Sequence, residues 1–267
     1  MMNAIVVGAA GRMGRTIVRA INDAANVTCR GAVEIPGHPT VGSDAGEVAG
    51  LGKLGVQIGD DLAEVIHRGD VVIDFTSAAS SVENMKVAAD HEKPMVVGST
   101  GFSPEQRQQM RELARQVPCV LSPNMSVGVN VMFRVVQEIA RVLGDDYDVE
   151  IVEAHHRLKK DAPSGTALRL GELLAHALDR KWEEVGTYTR KGAIGERTKE
   201  EIGMQVIRAG DIVGDHTVIF GGIGERLEVT HRAHTRDNFA RGALRAAAWV
   251  GEQNPGLYDM ADVLGLK

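Results

Sequence analysis

Short apolar runs alternate with longer amphipathic stretches through the first half of the chain. Ala4 to Val7, Val27 to Glu34, Val71 to Phe75, Met95 to Gly98 and Val120 to Ser122 have strand length and strand composition. Arg12 to Ala24, Ala78 to His91 and Pro104 to Gln116 carry apolar residues at helical spacing between them. Strands alternating with helices predict a parallel sheet, because parallel neighbours need a crossover connection, with helices on both faces. The fold class read from this half is α/β, a doubly wound parallel sheet.

The pattern changes near Pro123. Val127 to Leu143 predicts a helix, Asp148 to Ala154 a strand and Pro163 to Leu178 another helix. Met204 to Ala209, His216 to Phe220 and Glu225 to Ala233 predict three strands, whose short glycine-bearing links favour antiparallel pairing. Asn238 to Glu252, rich in Ala and Arg, predicts a last helix, and the polar Gly186 to Glu201 a long surface loop.

Composition narrows the class. The chain has 267 residues, 43% of them hydrophobic and 25% charged, which is ordinary for a soluble globular protein with a sizeable core. There are 31 glycines against two Trp, three Tyr and five Phe, so the core is aliphatic and many backbone positions use glycine's freedom. The net charge of −6 argues against a nucleic-acid or membrane partner, since such binding needs a basic surface. Cys29 and Cys119 are isolated, so neither a disulfide framework nor a cysteine zinc site is expected, and a reducing cytoplasm fits. Met1 to Ala10 lacks a signal-peptide pattern, and no run of 18 apolar residues occurs.

Three glycines, Gly8, Gly11 and Gly14, follow the first predicted strand and open the first predicted helix. A dinucleotide pyrophosphate is held at such a place by backbone N–H groups at the positive end of a helix. The spacing is G-x-x-G-x-x-G rather than G-x-G-x-x-G, with Ala10 in the middle place. Glu34 ends the second run, 20 residues after Gly14, where an acid accepts hydrogen bonds from adenosine ribose hydroxyls. The bland alternative is a turn needed only for helix–strand packing, with Glu34 a surface carboxylate. Ile35 and Pro36 stand where a 2′-phosphate reader usually offers Arg, which favours NADH over NADPH, although Arg12 is able to reach a phosphate. Gly98-Ser99-Thr100-Gly101 and Ser122-Pro123-Asn124-Met125 sit at two further strand ends, the edge where open α/β sheets bind ligands.

The densest constellation runs from Glu153-Ala154-His155-His156 through Lys159 to Asp161-Ala162-Pro163-Ser164-Gly165-Thr166-Ala167. Two imidazoles and three fixed cations within six residues make a candidate anion pocket in an acidic protein. Ser164 reads as the N-cap of a helix whose first N–H groups, at Gly165 and Thr166, can hold a carboxylate. The ensemble suits a small dicarboxylate with a proton donor beside it. The competing reading is a basic surface loop leading to an ordinary cap. No H-E-x-x-H pair indicates a metal, no G-x-S-x-G elbow a serine hydrolase, and Cys119 sits in an apolar run as a core residue.

These residues resemble the 4-hydroxy-tetrahydrodipicolinate reductase (dihydrodipicolinate reductase) family nearly end to end. The resemblance is carried by Val7 to Gly14, Asp74-Phe75-Thr76, Gly98 to Gly101, Arg208 to Gly214, Gly224 to Glu228 and, most specifically, Glu153 to Ala167. It implies a Rossmann-type dinucleotide-binding domain, residues 1–126 and 236–267, and an α+β substrate-binding and oligomerisation domain with a mixed sheet, residues 127–235. It also implies a homotetramer, and NADH- or NADPH-dependent reduction of a cyclic dicarboxylate with loss of water. By that likeness His155 is the proton donor and acceptor and Lys159 the other proton donor, while His156, Gly165 and Thr166 bind substrate. Gly8, Ala9, Ala10, Gly11, Arg12, Met13, Glu34, Gly98, Ser99, Thr100, Ser122, Pro123, Asn124 and Met125 would contact the cofactor. Ala10 replaces the glycine of many members, and Ile35 the Arg of some. Two rival readings are another two-domain Rossmann oxidoreductase, such as a semialdehyde dehydrogenase with a reactive cysteine, and a non-catalytic NAD-binding redox sensor.

Overall fold

The first strand, β1 (Met2–Val7), is buried from Ala4 onward and stops at Gly8, where the backbone turns through a positive φ of 72°. That conformation is one that glycine adopts without penalty. In the computed structural model, which describes residues 1–267, the chain continues as α1 (Arg12–Asp23), β2 (Val27–Val33), α2 (Ala45–Ala49), β3 (Ile58–Gly59), α3 (Leu62–Val65), β4 (Val71–Asp74), α4 (Ala78–Asp90), β5 (Met95–Val97), α5 (Pro104–Leu113) and β6 (Pro118–Leu121). Then follow α6 (Val127–Leu143), β7 (Asp148–His155), α7 (Gly165–Ala177), α8 (Trp182–Val185), β8 (Gly186–Thr187), β9 (Ile202–Arg208), β10 (Gly214–Gly221) and β11 (Arg226–Ala233). The chain closes with α9 (Asp237–Val250), β12 (Gly256–Tyr258) and α10 (Met260–Leu264). Two units result, Met1–Val127 with Arg236–Lys267, and Gly128–Thr235.

The first unit is a seven-stranded parallel sheet in the order β12-β6-β5-β4-β1-β2-β3. Strand side chains alternate between its two faces. Ala4 and Val6 pack with Ile17, Val18 and Ile21 of α1 and with the alanines of α9, whereas Ile5 and Val7 pack with Val82 and Met85 of α4 and Met110 of α5. Both faces are covered, as the near-continuous apolar runs require. α9 returns from the second unit because its Ala240, Ala243, Ala246 and Ala247 face is fully buried here. At Gly242 a Cβ would stand 1.7 Å from the Met125 carbonyl oxygen, so the helix docks directly on backbone. β1 lies between β2 and β4, and the crevice at their C-terminal ends is the switch point of the sheet. The short elements α2, β3, α3, β12 and α10 have too few residues to display a period and were not expected.

The second unit is a five-stranded mixed sheet, β11-β10-β7-β9-β8, backed by Met132 and Val136 of α6 and Leu170 and Leu174 of α7. The expected antiparallel pairing holds for β10 with β11 only. β9 pairs parallel with β7, and β10 takes the opposite edge of β7 in antiparallel register. The connection between β9 and β10 therefore crosses the end of β7, about 10 Å or two strand spacings. It is held there by Ala209 N–H donating to His155 O at 2.9 Å and by Arg157 N–H donating to Gly210 O at 3.1 Å. The expected surface loop from Gly186 is also more ordered than its composition implied. It begins as β8 against β9, and Arg190 then binds Glu150 through two nitrogens at 2.7 and 2.8 Å while Arg197 reaches Asp148 at 2.8 Å. No helix of the chain is long and apolar enough to cross a membrane.

Candidate active site

β7 alternates, so Val149, Ile151 and Glu153 all point into the second unit and His155 follows on the same face. Sheet register supplies the neighbours. His216 on β10 stands opposite Glu153, and Arg208 on β9 opposite His155.

Glu153 is fully buried, and a buried carboxylate requires its charge to be met. Arg208 grips it with Nη1 on Oε2 at 2.9 Å and Nη2 on Oε1 at 2.8 Å. The Ser164 N–H donates to Oε1 at 3.0 Å, and His155 Nδ1 lies 2.6 Å from Oε2. Burial alone would push this carboxyl up; the hydrogen bonds from His155, Arg208 and Ser164 outweigh it and hold Glu153 at about 2. An ionised carboxylate only accepts hydrogen bonds, so the proton of a neutral His155 ring resides on Nδ1 and leaves Nε2 free. Nε2 stands 3.0 Å from where a Cβ at position 214 would be, and Gly214 thus gives the ring its place.

Ser164 has two roles. Its hydroxyl accepts from the Ala167 N–H at 3.2 Å and caps α7, which starts at Gly165 rather than at Pro163. The same hydroxyl lies 3.1 Å from Nε2 of His216, whose ring meets His155 edge-on with centroids 5.3 Å apart. Burial, with His155 adding to it, pushes His216 down to about 3, so this ring is neutral over the ordinary pH range. Past the strand end, Lys159 N–H donates to His156 O at 3.1 Å, and the Lys159 ammonium pairs with Asp161 at 2.8 Å. The hydrogen bond from Lys159 pulls the Asp161 carboxyl down. Asp161 O in turn accepts from Arg208 Nη2 at 2.7 Å, which connects the lysine segment to the buried pair.

In the first unit the expected cofactor residues lie along the C-terminal edge of the sheet. The Gly8 and Ala9 N–H groups both donate to Val33 O, at 2.8 and 3.1 Å, and the Ala10 N–H donates to Glu34 Oε1 at 2.8 Å. Glu34 therefore buttresses the turn as well as lining a cleft of about 410 Å³ with Gly8, Ile35, Pro36, Asp61 and Thr76. At Gly14 a Cβ would fall 2.0 Å from Gly8 O, and at Gly8 it would fall 2.8 Å from Thr76 Cγ2. α1 has Gly11 as its N-cap, and no side-chain cap accepts from the N–H groups of its first turn. This cradle fits a dinucleotide pyrophosphate. Ala9, Ala10, Ser99, Ser122 and Met125 are buried; the N–H groups of Ala9 and Ala10 are already given to Val33 O and Glu34, the Ser99 hydroxyl accepts from Ser81, and that of Ser122 donates to Asn124 O.

Sequence reasoning assigned no role to Glu153, Arg208, His216 or Thr76. A charged residue at an inward position of β7, two before His155, was the available signal for Glu153. Arg208 and His216 are far away in sequence and are brought in by strand register alone. Thr76 is held toward Gly8 by the buried Asp74, which accepts from its N–H at 2.8 Å and its hydroxyl at 2.6 Å. Burial pushes the Asp74 carboxyl up against these bonds.

Residues 2–125 match the family model described as dihydrodipicolinate reductase, N-terminus, and residues 128–264 that described as dihydrodipicolinate reductase, C-terminus. The chain belongs to the dihydrodipicolinate reductase family. It is 58% identical over 267 residues to the 4-hydroxy-tetrahydrodipicolinate reductase of Syntrophus aciditrophicus (strain SB) and 59% identical to that of Geobacter sulfurreducens, covering 100% of each chain. The solved structure of dipicolinate-bound dihydrodipicolinate reductase from Paenisporosarcina sp. TG-14 shares the fold, with a TM-score of 0.76 at 23% identity over 98% of both chains. The family performs the NAD(P)H-dependent reductase step of lysine and diaminopimelate biosynthesis. Its C-terminal segment includes α9 and α10, which in space complete the first unit.

Proposed function

We propose that the chain reduces 4-hydroxy-tetrahydrodipicolinate to tetrahydrodipicolinate with loss of water, using NADH in preference to NADPH, with His155 and Lys159 handling protons. The observation that carries the site assignment is the single buried carboxylate that joins the His155 ring to the start of α7. One substrate carboxylate is assigned to the N–H groups of Gly165 and Thr166, where the helix end is positive, and His156 to the same substrate. His155 exchanges a proton at Nε2, and the Lys159 ammonium donates one to the ring that accepts hydride. The nicotinamide, when bound, supplies that hydride. Gly8 to Met13 would hold its pyrophosphate, Glu34 its adenosine ribose, and Gly98 to Thr100 with Ser122 to Met125 the remainder along the sheet edge. NADH is favoured because Glu34 and Asp61 line the cleft and Ile35 is 62% exposed in place of a phosphate-binding cation.

A homotetramer is assigned to the face of the second unit's sheet opposite Glu153, where Val152, Ala154, Gln205, Ile207, Thr217 and Ile219 lie outside the unit's core. We place the enzyme in the cytoplasm on its two buried free cysteines. The same cysteines weigh against a semialdehyde dehydrogenase. Burial pushes the Cys29 thiol to about 11 and the Cys119 thiol upward too, so neither supplies a reactive thiolate.

The test is NADH and NADPH oxidation, side by side, with freshly generated substrate. The proposal expects a higher kcat/KM with NADH. Lys159→Ala should lower kcat on the order of 100-fold while NADH still binds, as removal of a general acid does. A near-normal kcat excludes Lys159 as a proton donor, and a protein that binds NADH without oxidising it is a redox sensor.

A further inference from the structure

The two oxygens of Glu153 divide their partners. Oε2 takes His155 Nδ1 at 2.6 Å and Arg208 Nη1 at 2.9 Å, and Oε1 takes the Ser164 N–H at 3.0 Å and Arg208 Nη2 at 2.8 Å. Between those anchor points the chain runs out through Lys159 and back, and Arg208 Nη2 also binds Asp161 O at 2.7 Å on the way. One ion pair therefore secures the segment 155–164 at both ends and near its return.

A buried ion pair adds little net stability over an apolar pair of similar volume, because desolvating both charges costs about as much as their attraction returns. The charge at position 153 has a use that apolar packing lacks. It selects which imidazole nitrogen carries the proton, and it accepts a main-chain N–H at the helix start.

We infer that Arg208 and Glu153 act as a positioning pair for the reduction, holding His155 in the tautomer with Nε2 free and locking the carboxylate-binding start of α7 to that ring. This rests on the proposed roles of His155 and of the α7 start. Neither residue is assigned contact with substrate; each acts through His155 and Ser164. The other titratable groups around them are consistent with that division. His216 on β10 is buried and neutral, His231 lies across from it on β11, and Lys159 is paired with Asp161.

The direct test needs no variant. ¹⁵N spectra of imidazole-labelled protein at a pH where His155 is neutral, assigned by comparison with His155→Asn, should show His155 protonated at Nδ1; an Nε2-protonated ring overturns the inference. In Glu153→Gln the amide has one acceptor. If that oxygen stays with Ser164 and Arg208, its NH2 faces His155 and forces the proton to Nε2. The expected result is that tautomer switch together with a fall in kcat on the order of 100-fold or more, the usual scale for losing a group that orients a reacting imidazole.

The double variant Glu153→Gln with Arg208→Met separates positioning from structure. It removes both charges, so it should melt near the parent temperature yet keep the low kcat and the switched tautomer. Parental kcat in that folded double variant overturns the inference. An inactive parent with His155 correctly protonated at Nδ1 instead sinks the functional reading, so the two failures are distinguishable.

Discussion

Acid should destabilise this protein through one buried ring, His216. The ring is 4% exposed and is held at about 3, against 6.5 for an ordinary histidine. Above pH 6.5 the folded and unfolded chains both carry it neutral, and it makes no difference to stability. Below 6.5 the unfolded chain binds a proton that the folded chain refuses. Stability therefore falls as pH falls, by about 1.4 kcal/mol per pH unit, until the folded ring titrates near pH 3. By pH 5 the loss is about 2 kcal/mol, a large part of the margin of a typical domain. Glu153 adds a second, lower window. Its folded value is about 2 against 4.5, so the stability it contributes is complete above 4.5 and is lost only as pH drops toward 2. Asp74, whose carboxyl burial pushes up, acts in the opposite direction, and the interval from 6.5 to 5 otherwise reports the histidine contribution. Burial pushes His231 down as well, with the same sign, so a variant is needed to single out His216. His216→Gln offers the Ser164 hydroxyl an amide partner but does not titrate. Urea midpoints without cofactor, at constant protein concentration, should fall between pH 6.5 and 5 in the parent and fall less steeply in the variant by about the 2 kcal/mol derived above. Equal slopes in the two proteins would refute the reasoning.

Two further predictions concern the first unit. Gly14→Ala gains helix propensity but drives a Cβ to 2.0 Å from Gly8 O and 2.7 Å from Ala9 Cα, both of them backbone. A net loss of about 2 kcal/mol and weaker NADH binding are expected; an unchanged melting temperature and unchanged affinity would show that the turn gives way freely. Glu34→Ala removes the acceptor of the Ala10 N–H and the assigned ribose partner. It should weaken NADH roughly 10- to 100-fold, the range for a hydrogen bond to a charged group, while leaving the affinity for a cyclic dicarboxylate as it was; equal NADH affinity in parent and variant removes Glu34 from the site.

The proposed activity and the pH behaviour share one structural cause. A carboxylate, a guanidinium and two imidazoles sit in the low-dielectric interior between β7, β9 and β10, where every proton position is set by a neighbour. In the proposed mechanism the reacting His155 ring is kept in one tautomer by Glu153, which is held ionised, beside a His216 ring that stays neutral near neutrality. The consequence is a fold that loses stability on acidification through His216 before Glu153 titrates.

The period of the apolar runs determined the parallel sheet of the first unit, because a strand buried on both faces must be apolar throughout and its crossover helices must be amphipathic. Gly8 and Gly14 were legible for a related reason. A strand that ends in a positive φ, and a helix that approaches its own turn within van der Waals contact, tolerate little else. Ser164 was legible as a cap from its place before a helical period. Local rules of this kind act over a few residues, and a few residues of sequence display them. The order β11-β10-β7-β9-β8 lay beyond their reach, since the link of Ala209 to Val213 is compatible with a hairpin and the choice to cross β7 is made by hydrogen bonds to His155 and Arg157. From that register follow the meeting of Arg208 with Glu153, the edge of His216 against His155, and the proton on Nδ1. Chemistry was readable as a set of residue types along one segment; which atom of which ring is free was decided by strands more than 50 residues away.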